Sequence, residues 1–122
     1  MTTAEIASMM AEIGIPTAYY QFTQKTAKAP PFLCFYYPDS RDLYADNSNY
    51  QIINHVICEI YTDEKDFALE ATAEGVFSSH GLTWQKTEMY IDSEKLCEVI
   101  YSMEIVITDP VPEEITEEII NE

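Results

Sequence analysis

The stretch that decides the fold is residues 94–108, which read EKLCEVIYSMEIVIT. Apolar and polar side chains alternate along it, which is typical of a β-strand with one buried face. It is long against the usual five or six residues of a strand. The predicted core face carries Cys97, Val99, Tyr101, Met103, Ile105 and Ile107, and most of the polar side chains fall on the other face: Glu98, Ser102, Glu104 and Thr108.

A second long strand is predicted at residues 50–62, YQIINHVICEIYT. The better candidate for its core face carries Ile52, Asn54, Val56, Cys58 and Ile60. The other face is mixed, with Ile53, His55, Ile57, Glu59 and Tyr61. We therefore expect that second face to meet either water or a neighbouring molecule.

Two helices accompany these strands. In residues 3–13, apolar side chains recur at helical spacing, Thr2 and Glu5 fit a capping box, and Gly14 fits the helix end. Residues 64–80 form the second predicted helix, with Asp63 as the N-cap and Gly81 as the stop.

Shorter strands are predicted at residues 17–23, at 32–37, where Pro38 ends the strand, and at 82–91, where Leu82, Trp84 and Tyr90 share a face. Residues 24–31 and 39–49 are predicted loops. The fold class is therefore α+β, with two helices packed on a mainly antiparallel sheet of four to five strands. Residues 1–108 form this single domain, and residues 109–122 form an acidic C-terminal tail.

The charge narrows the possible partners. The 122 residues include 22 acidic and 6 basic ones, a net charge of −16. This charge argues against direct nucleic-acid binding and against docking on anionic membranes, since both need clustered lysine and arginine. No signal peptide or membrane span is visible. The three cysteines lie in apolar strand patterns, which predicts reduced, buried thiols in a cytosolic protein.

The chain offers no evident catalytic, cofactor or metal site. His55 and Cys58 are three residues apart, which on a strand places them on opposite faces. His80 suits the negative end of its helix. The aspartates of loop 39–49, Asp39, Asp42 and Asp46, do not match the spacing of a calcium loop. We therefore expect a protein that is not an enzyme.

Several phrases resemble a known family. They are TTAEIA and EIGIPTAYYQF near the start, PPFLCFYYP, ADNSNYQ, EIYTDEKDF and YIDSEK. They resemble small proteins encoded among the head–tail joining and tail genes of long-tailed phages and prophages of Gram-positive bacteria. The likeness covers about residues 1–108.

The resemblance implies a tail-completion protein, most closely a tail terminator with the sandwich fold of the lambda tail terminator. Such a protein forms a hexameric ring on the tail tube and contacts the tail tube protein and the head connector. It would assemble in the host cytoplasm and lie at the head–tail junction, with no cofactor. An acidic inhibitor or DNA mimic that binds a host protein is the alternative.

Interface candidates come from the predicted loop 39–49. Tyr44 is an anchor type of side chain, Arg41 is a cation suited to an acidic neighbour, and Asp46 lies beside them. We expect self-association to strengthen with added salt, because salt screens the repulsion between acidic copies.

Overall fold

The computed structural model describes residues 1–21, 29–40, 43–45 and 48–108, with only the backbone described at 43–45 and 48–52. Two helices and six strands follow one another in these ranges. In chain order they are α1 (Thr3–Ala11), β1 (Thr17–Tyr19), β2 (Phe32–Ser40), β3 (Leu43–Ala45), β4 (Ser48–Thr62), α2 (Phe67–Ser79), β5 (Gln85–Ile91) and β6 (Leu96–Ile107).

The strands form an open sheet in the order β1-β2-β4-β6-β5, and β3 pairs with the start of β4. Among the strand pairs of the described residues, only β1–β2 is parallel. The two long strands predicted from the alternating pattern, β4 and β6, lie side by side at the centre, from the Ile52–Ile107 pair to the Thr62–Cys97 pair. The predicted α+β class is confirmed.

An N-cap residue precedes each helix. Thr2 and Glu5 form the predicted capping box of α1, and the left-handed Gly14 (φ +91°) follows the helix end. The N-cap of α2 is Asp66, whose carboxylate accepts a hydrogen bond from the Leu69 amide at 3.0 Å. The prediction of Asp63 as the cap was wrong, because Asp63 lies in the bend directly after β4 and α2 begins only at Phe67.

Both helices pack on the same face of the sheet. The core there combines alternate residues of β4 and β6 with the apolar sides of the helices, as the sequence predicted. Tyr101 and Phe77 are fully buried and meet edge to face, with ring centroids 5.3 Å apart. Ile6, Met10, Val56, Val99 and Met103 belong to the same cluster.

The region after Tyr37 differs from the prediction. β2 continues through Pro38 to Ser40, because a register shift between Tyr36 and Asp39 places the proline at an irregularity in the ladder, where a missing N–H is tolerated. The predicted loop 39–49 contains the end of β2, all of β3 and the start of β4.

β5 is an edge strand, and its side chains are largely exposed. Trp84, just before it, packs against the Phe77 ring at 5.9 Å between ring centroids. Tyr90 lies on the same face of the strand as Trp84, as predicted, and is 55% exposed. At the other end of the sheet, strand structure at the predicted 17–23 stops at Tyr19. Neither helix within the described ranges is long and apolar enough to cross a membrane.

Candidate protein–protein interface

The face of the sheet turned away from α1 and α2, here called the helix-free face, is the most distinctive surface of the described chain. Cross-strand pairing assigns its residues, since side chains alternate between faces along a strand. They are Phe32, Cys34, Tyr36 and Asp39 on β2; Ile53, His55, Ile57, Glu59 and Tyr61 on β4; Glu98, Ile100, Ser102, Glu104 and Val106 on β6; and Gln85, Thr87, Met89 and Ile91 on β5. The face mixes apolar side chains and tyrosines with a few carboxyls.

Two of these carboxyls lie together at the centre. Glu59 and Glu98 are diagonal neighbours on β4 and β6, because Glu59 pairs with Ile100 and Tyr61 pairs with Glu98. The Tyr36 hydroxyl donates to one Glu59 oxygen at 2.6 Å, and the Tyr61 hydroxyl donates to the other. Glu98 is only 7% exposed and is hydrogen-bonded to Glu59.

The pKa values of the two carboxyls are shifted in opposite directions. Burial raises the pKa of Glu98, and its hydrogen bond to Glu59 raises it further. For Glu59 burial opposes ionisation, but the hydrogen bonds from Glu98, Tyr36 and Tyr61 outweigh it and lower the pKa. Two close carboxyls that share a proton carry less charge than two independent ones. Glu98 therefore holds its proton to a higher pH than Glu59 does.

A row of polar groups crosses the face closer to the β3 hairpin. His55 lies between Asp39 on β2 and Glu104 on β6 in the pairing register. Its Nδ1 is 3.5 Å from Asp39 Oδ1, and its Nε2 is 2.5 Å from Ser102 Oγ. The row borders a groove of about 1010 Å³ that Trp84 and Gln85 also line.

Asp39, His55 and Ser102 stand in the order of a serine-hydrolase triad. Acyl transfer also needs donors for the developing oxyanion, usually backbone N–H groups at a turn or a helix start. Ser102 lies in the middle of β6 and is paired with Ile57 on one side and Gln85 on the other. The peptide groups of its strand are thus used by the sheet, and the row joins three strands.

The opposite side of β5 is charged and paired with α2. Glu70 is 4% exposed and binds Lys65 at 2.8 Å and Lys86 at 3.0 Å. Burial opposes ionisation of Glu70, but the two lysine hydrogen bonds lower its pKa below the ordinary value. Lys86 also binds Glu74, which accepts from the Tyr101 hydroxyl. These contacts hold α2 on the sheet.

Of the three predicted interface residues, the structure describes only Tyr44, and of that residue only the backbone. Arg41 and Asp46 lie outside the described residues, as does the tail 109–122. The Tyr44 backbone belongs to β3 and pairs with Asn49. Reasoning from the sequence identified the mixed face of β4, but it missed that Glu59 meets Glu98 and that His55 meets Ser102.

The cysteines and histidines are the other side chains that the sequence offers for chemistry. His55 and Cys58 are on opposite faces, as predicted, and burial raises the pKa of the Cys58 thiol. All three cysteines are free; Cys34 and Cys58 are buried and Cys97 is partly buried. No group of three or more potential metal ligands occurs among the described residues. His80, at the end of α2, bonds Glu12 at the end of α1 at 2.8 Å.

The chain's fold is found in a virion. No protein-family model matches the sequence, and no curated protein matches it. Among solved structures, the chain is similar to a chain in the virion of a native gene transfer agent (GTA) particle, with a TM-score of 0.58 and 13% identity. The likeness covers 83% of this chain and 84% of that chain, so the two share a fold over most of their lengths.

Proposed function

We propose that this chain is a structural protein of a phage-like virion, without catalytic activity. The observation that carries the proposal is the fold likeness to a chain of the GTA virion over 83% of this chain. The resemblance of residues 1–108 to tail-completion proteins points in the same direction. The helix-free face gives the domain a broad surface beyond its own core, as a protein that works by assembly needs.

Within the virion, we propose the role of a tail terminator, a ring of six copies at the head-proximal end of the tail tube. A closed ring needs two different surfaces on each copy that fit each other head to tail. The helix-free face is one such surface, and the region around Arg41, Tyr44 and Asp46 is a candidate for another. The net charge of −16 suits a ring around DNA, because a negative lumen does not retain the passing polyanion.

The alternative, an acidic inhibitor or DNA mimic, has less support. A DNA mimic presents rows of ionised carboxylates at the surface. In the described part of this chain, Glu59 and Glu98 share hydrogen bonds with tyrosines, while Glu70 and Glu74 bind lysines. Those four carboxyls serve the fold and are poorly available to a cationic partner.

The test is the mass in solution of the full chain, alone and with the tail tube protein of the same particle. We expect a six-copy assembly, formed alone or on contact with the tube protein. A chain that stays monomeric in both samples and captures a DNA-binding host protein would contradict the proposal and support the inhibitor.

A further inference from the structure

The groove beside His55 lies at the edge of the helix-free face where β5 begins. His55 contributes to its lining from β4, Asp39 from β2 and Glu104 from β6, while Trp84 comes from the segment just before β5. Its volume of about 1010 Å³ is at the upper end of the range found for small-ligand sites. A side chain of another protein, together with its flanking backbone, therefore has room to enter.

Carboxylates determine the charge of the groove. The helix-free face carries Asp39, Glu59, Glu98 and Glu104, and none of the described residues assigned to this face is a lysine or an arginine. Asp39 and Glu104 border the groove, and both are exposed, the side chain of Asp39 to 68%. By charge, the ligand that fits this groove is a cation.

The placement of these two carboxylates favours a guanidinium. Asp39 and Glu104 are the cross-strand neighbours of His55 on either side. Their Cα atoms therefore lie about 10 Å apart, twice the spacing between neighbouring strands. A planar guanidinium can donate to a carboxylate on each side of it, whereas a lysine ammonium is a point charge. An arginine side chain also lies well against an aromatic ring, and Trp84 lines the same groove.

We propose that this groove binds an arginine side chain of a different, basic protein, with Asp39 and Glu104 as the acceptors. A second copy of this chain fits poorly, because each copy carries a single arginine against 22 acidic residues. The inference goes beyond the proposed ring and does not depend on it. Gln85, the first residue of β5, lines the groove, whereas Met89 lies further along β5. The basic partner therefore leaves the part of the face around Met89 uncovered.

Trp84 supplies a reporter for the test, since it is the chain's single tryptophan and lines the groove. The probe is a short acetylated glycine peptide with one central arginine, titrated into the purified full chain while the fluorescence of Trp84 is recorded. A matched peptide carries citrulline, which keeps the shape of the arginine side chain and has no charge. We expect a saturable change of fluorescence with the arginine peptide and none with the citrulline peptide.

Two double variants of equal net charge separate the groove from the acidity of the whole chain. Asp39→Asn with Glu104→Gln removes both proposed acceptors, and Glu64→Gln with Glu94→Gln removes two exposed carboxylates elsewhere. Circular dichroism and melting first show that both are folded. The first variant should bind the arginine peptide about tenfold more weakly than the wild type, because charge-assisted hydrogen bonds are lost. The second should bind it like the wild type.

Equal weakening in the two double variants would overturn the inference, since binding would then follow net charge alone. Unchanged fluorescence of the wild type with the arginine peptide, or the same change with the citrulline peptide, would also overturn it. Sedimentation of the same samples tests the other occupant. Self-association of the wild type that Asp39→Asn with Glu104→Gln abolishes, without binding of the arginine peptide, would assign the groove to a second copy instead.

Discussion

Glu59 and Glu98 are joined by a hydrogen bond across β4 and β6, and the pKa of one is lowered while that of the other is raised. The two carboxyls of the pair therefore lose their protons at different pH values, Glu59 before Glu98. Both groups belong to the helix-free face, where Tyr36 and Tyr61 donate to Glu59. Ionisation of the Glu59–Glu98 pair should therefore affect both the stability of the fold and the charge of the helix-free face.

The pair predicts a defined pH dependence of stability. The pKa of Glu98 is raised above its ordinary value of 4.5, so its contribution is complete below that value and is lost as the pH rises through the raised pKa. The lowered pKa of Glu59 acts oppositely, and its contribution is lost in acid. Glu98→Gln keeps a hydrogen-bond donor and cannot ionise. As the pH rises, the wild type should lose unfolding free energy on the order of 1 kcal/mol through ionisation of Glu98. We expect the Glu98→Gln variant not to show this loss.

Melting temperature measured from mildly acidic to alkaline pH tests this prediction. The wild type should lose stability over that range more steeply than Glu98→Gln. Glu94→Gln, in the exposed turn between β5 and β6, is the control and should follow the wild type. Parallel curves for the wild type and Glu98→Gln would show that the pKa of Glu98 is not raised in the folded protein.

Glu70 should be the most important carboxylate for stability on the helix side of the described chain. It is almost fully buried between Lys65 and Lys86. Glu70→Gln leaves two cations without their buried partner and should cost about 1–3 kcal/mol. Urea denaturation measures the loss, with the exposed Glu64→Gln as the control. Equal losses in the two variants would mean that the lysines are held by other groups.

Met103 tests the assignment of faces on β6. It is 2% exposed and belongs to the helix-side core. Met103→Asp places an unpaired charge there and should cost several kcal/mol, enough to unfold or aggregate a domain of this size. Met103→Leu keeps the volume and should melt close to the wild type. A Met103→Asp chain with an unchanged melting temperature would contradict the assignment.

We expect Ser102 not to act as a nucleophile, although its Oγ lies 2.5 Å from His55 Nε2. A fluorophosphonate probe reacts with activated serines, and we expect it to label the wild type no more than Ser102→Ala. The reason is that the sheet uses the peptide groups around Ser102. Labelling of the wild type that Ser102→Ala abolishes would instead establish an activated serine.

The sequence predicts most of the fold because the central elements have strong local patterns. The alternation in β4 and β6 identifies their core faces, and Thr2 with Glu5 identifies the start of α1. Predictions failed where two signals competed or where pairing overrode a local preference. Asp63 and Asp66 are both good caps, and only the bend after β4 decides between them. Pro38 normally ends a strand, but a register shift accommodates it in β2.

The candidate interface was less predictable, because it depends on pairing between distant strands. Glu59 and Glu98 are ordinary polar positions in their own strands, and only the register Tyr61–Glu98 brings them together. The same is true of Asp39, His55 and Ser102, which come from three strands. A period-two pattern shows which face a residue occupies and not which residue lies opposite.

The central claim, that the chain is a ring-forming tail terminator, is tested most directly by electron microscopy of tail tubes assembled with the chain present. We expect tubes of the particle's own tail protein to carry a six-fold ring at one end and to stop growing from it. Met89→Glu adds a charge to the helix-free face, which we propose as one surface of the ring. Tube ends should therefore stay bare with this variant. Tubes that keep growing, with wild-type chain absent from both ends, would contradict the account.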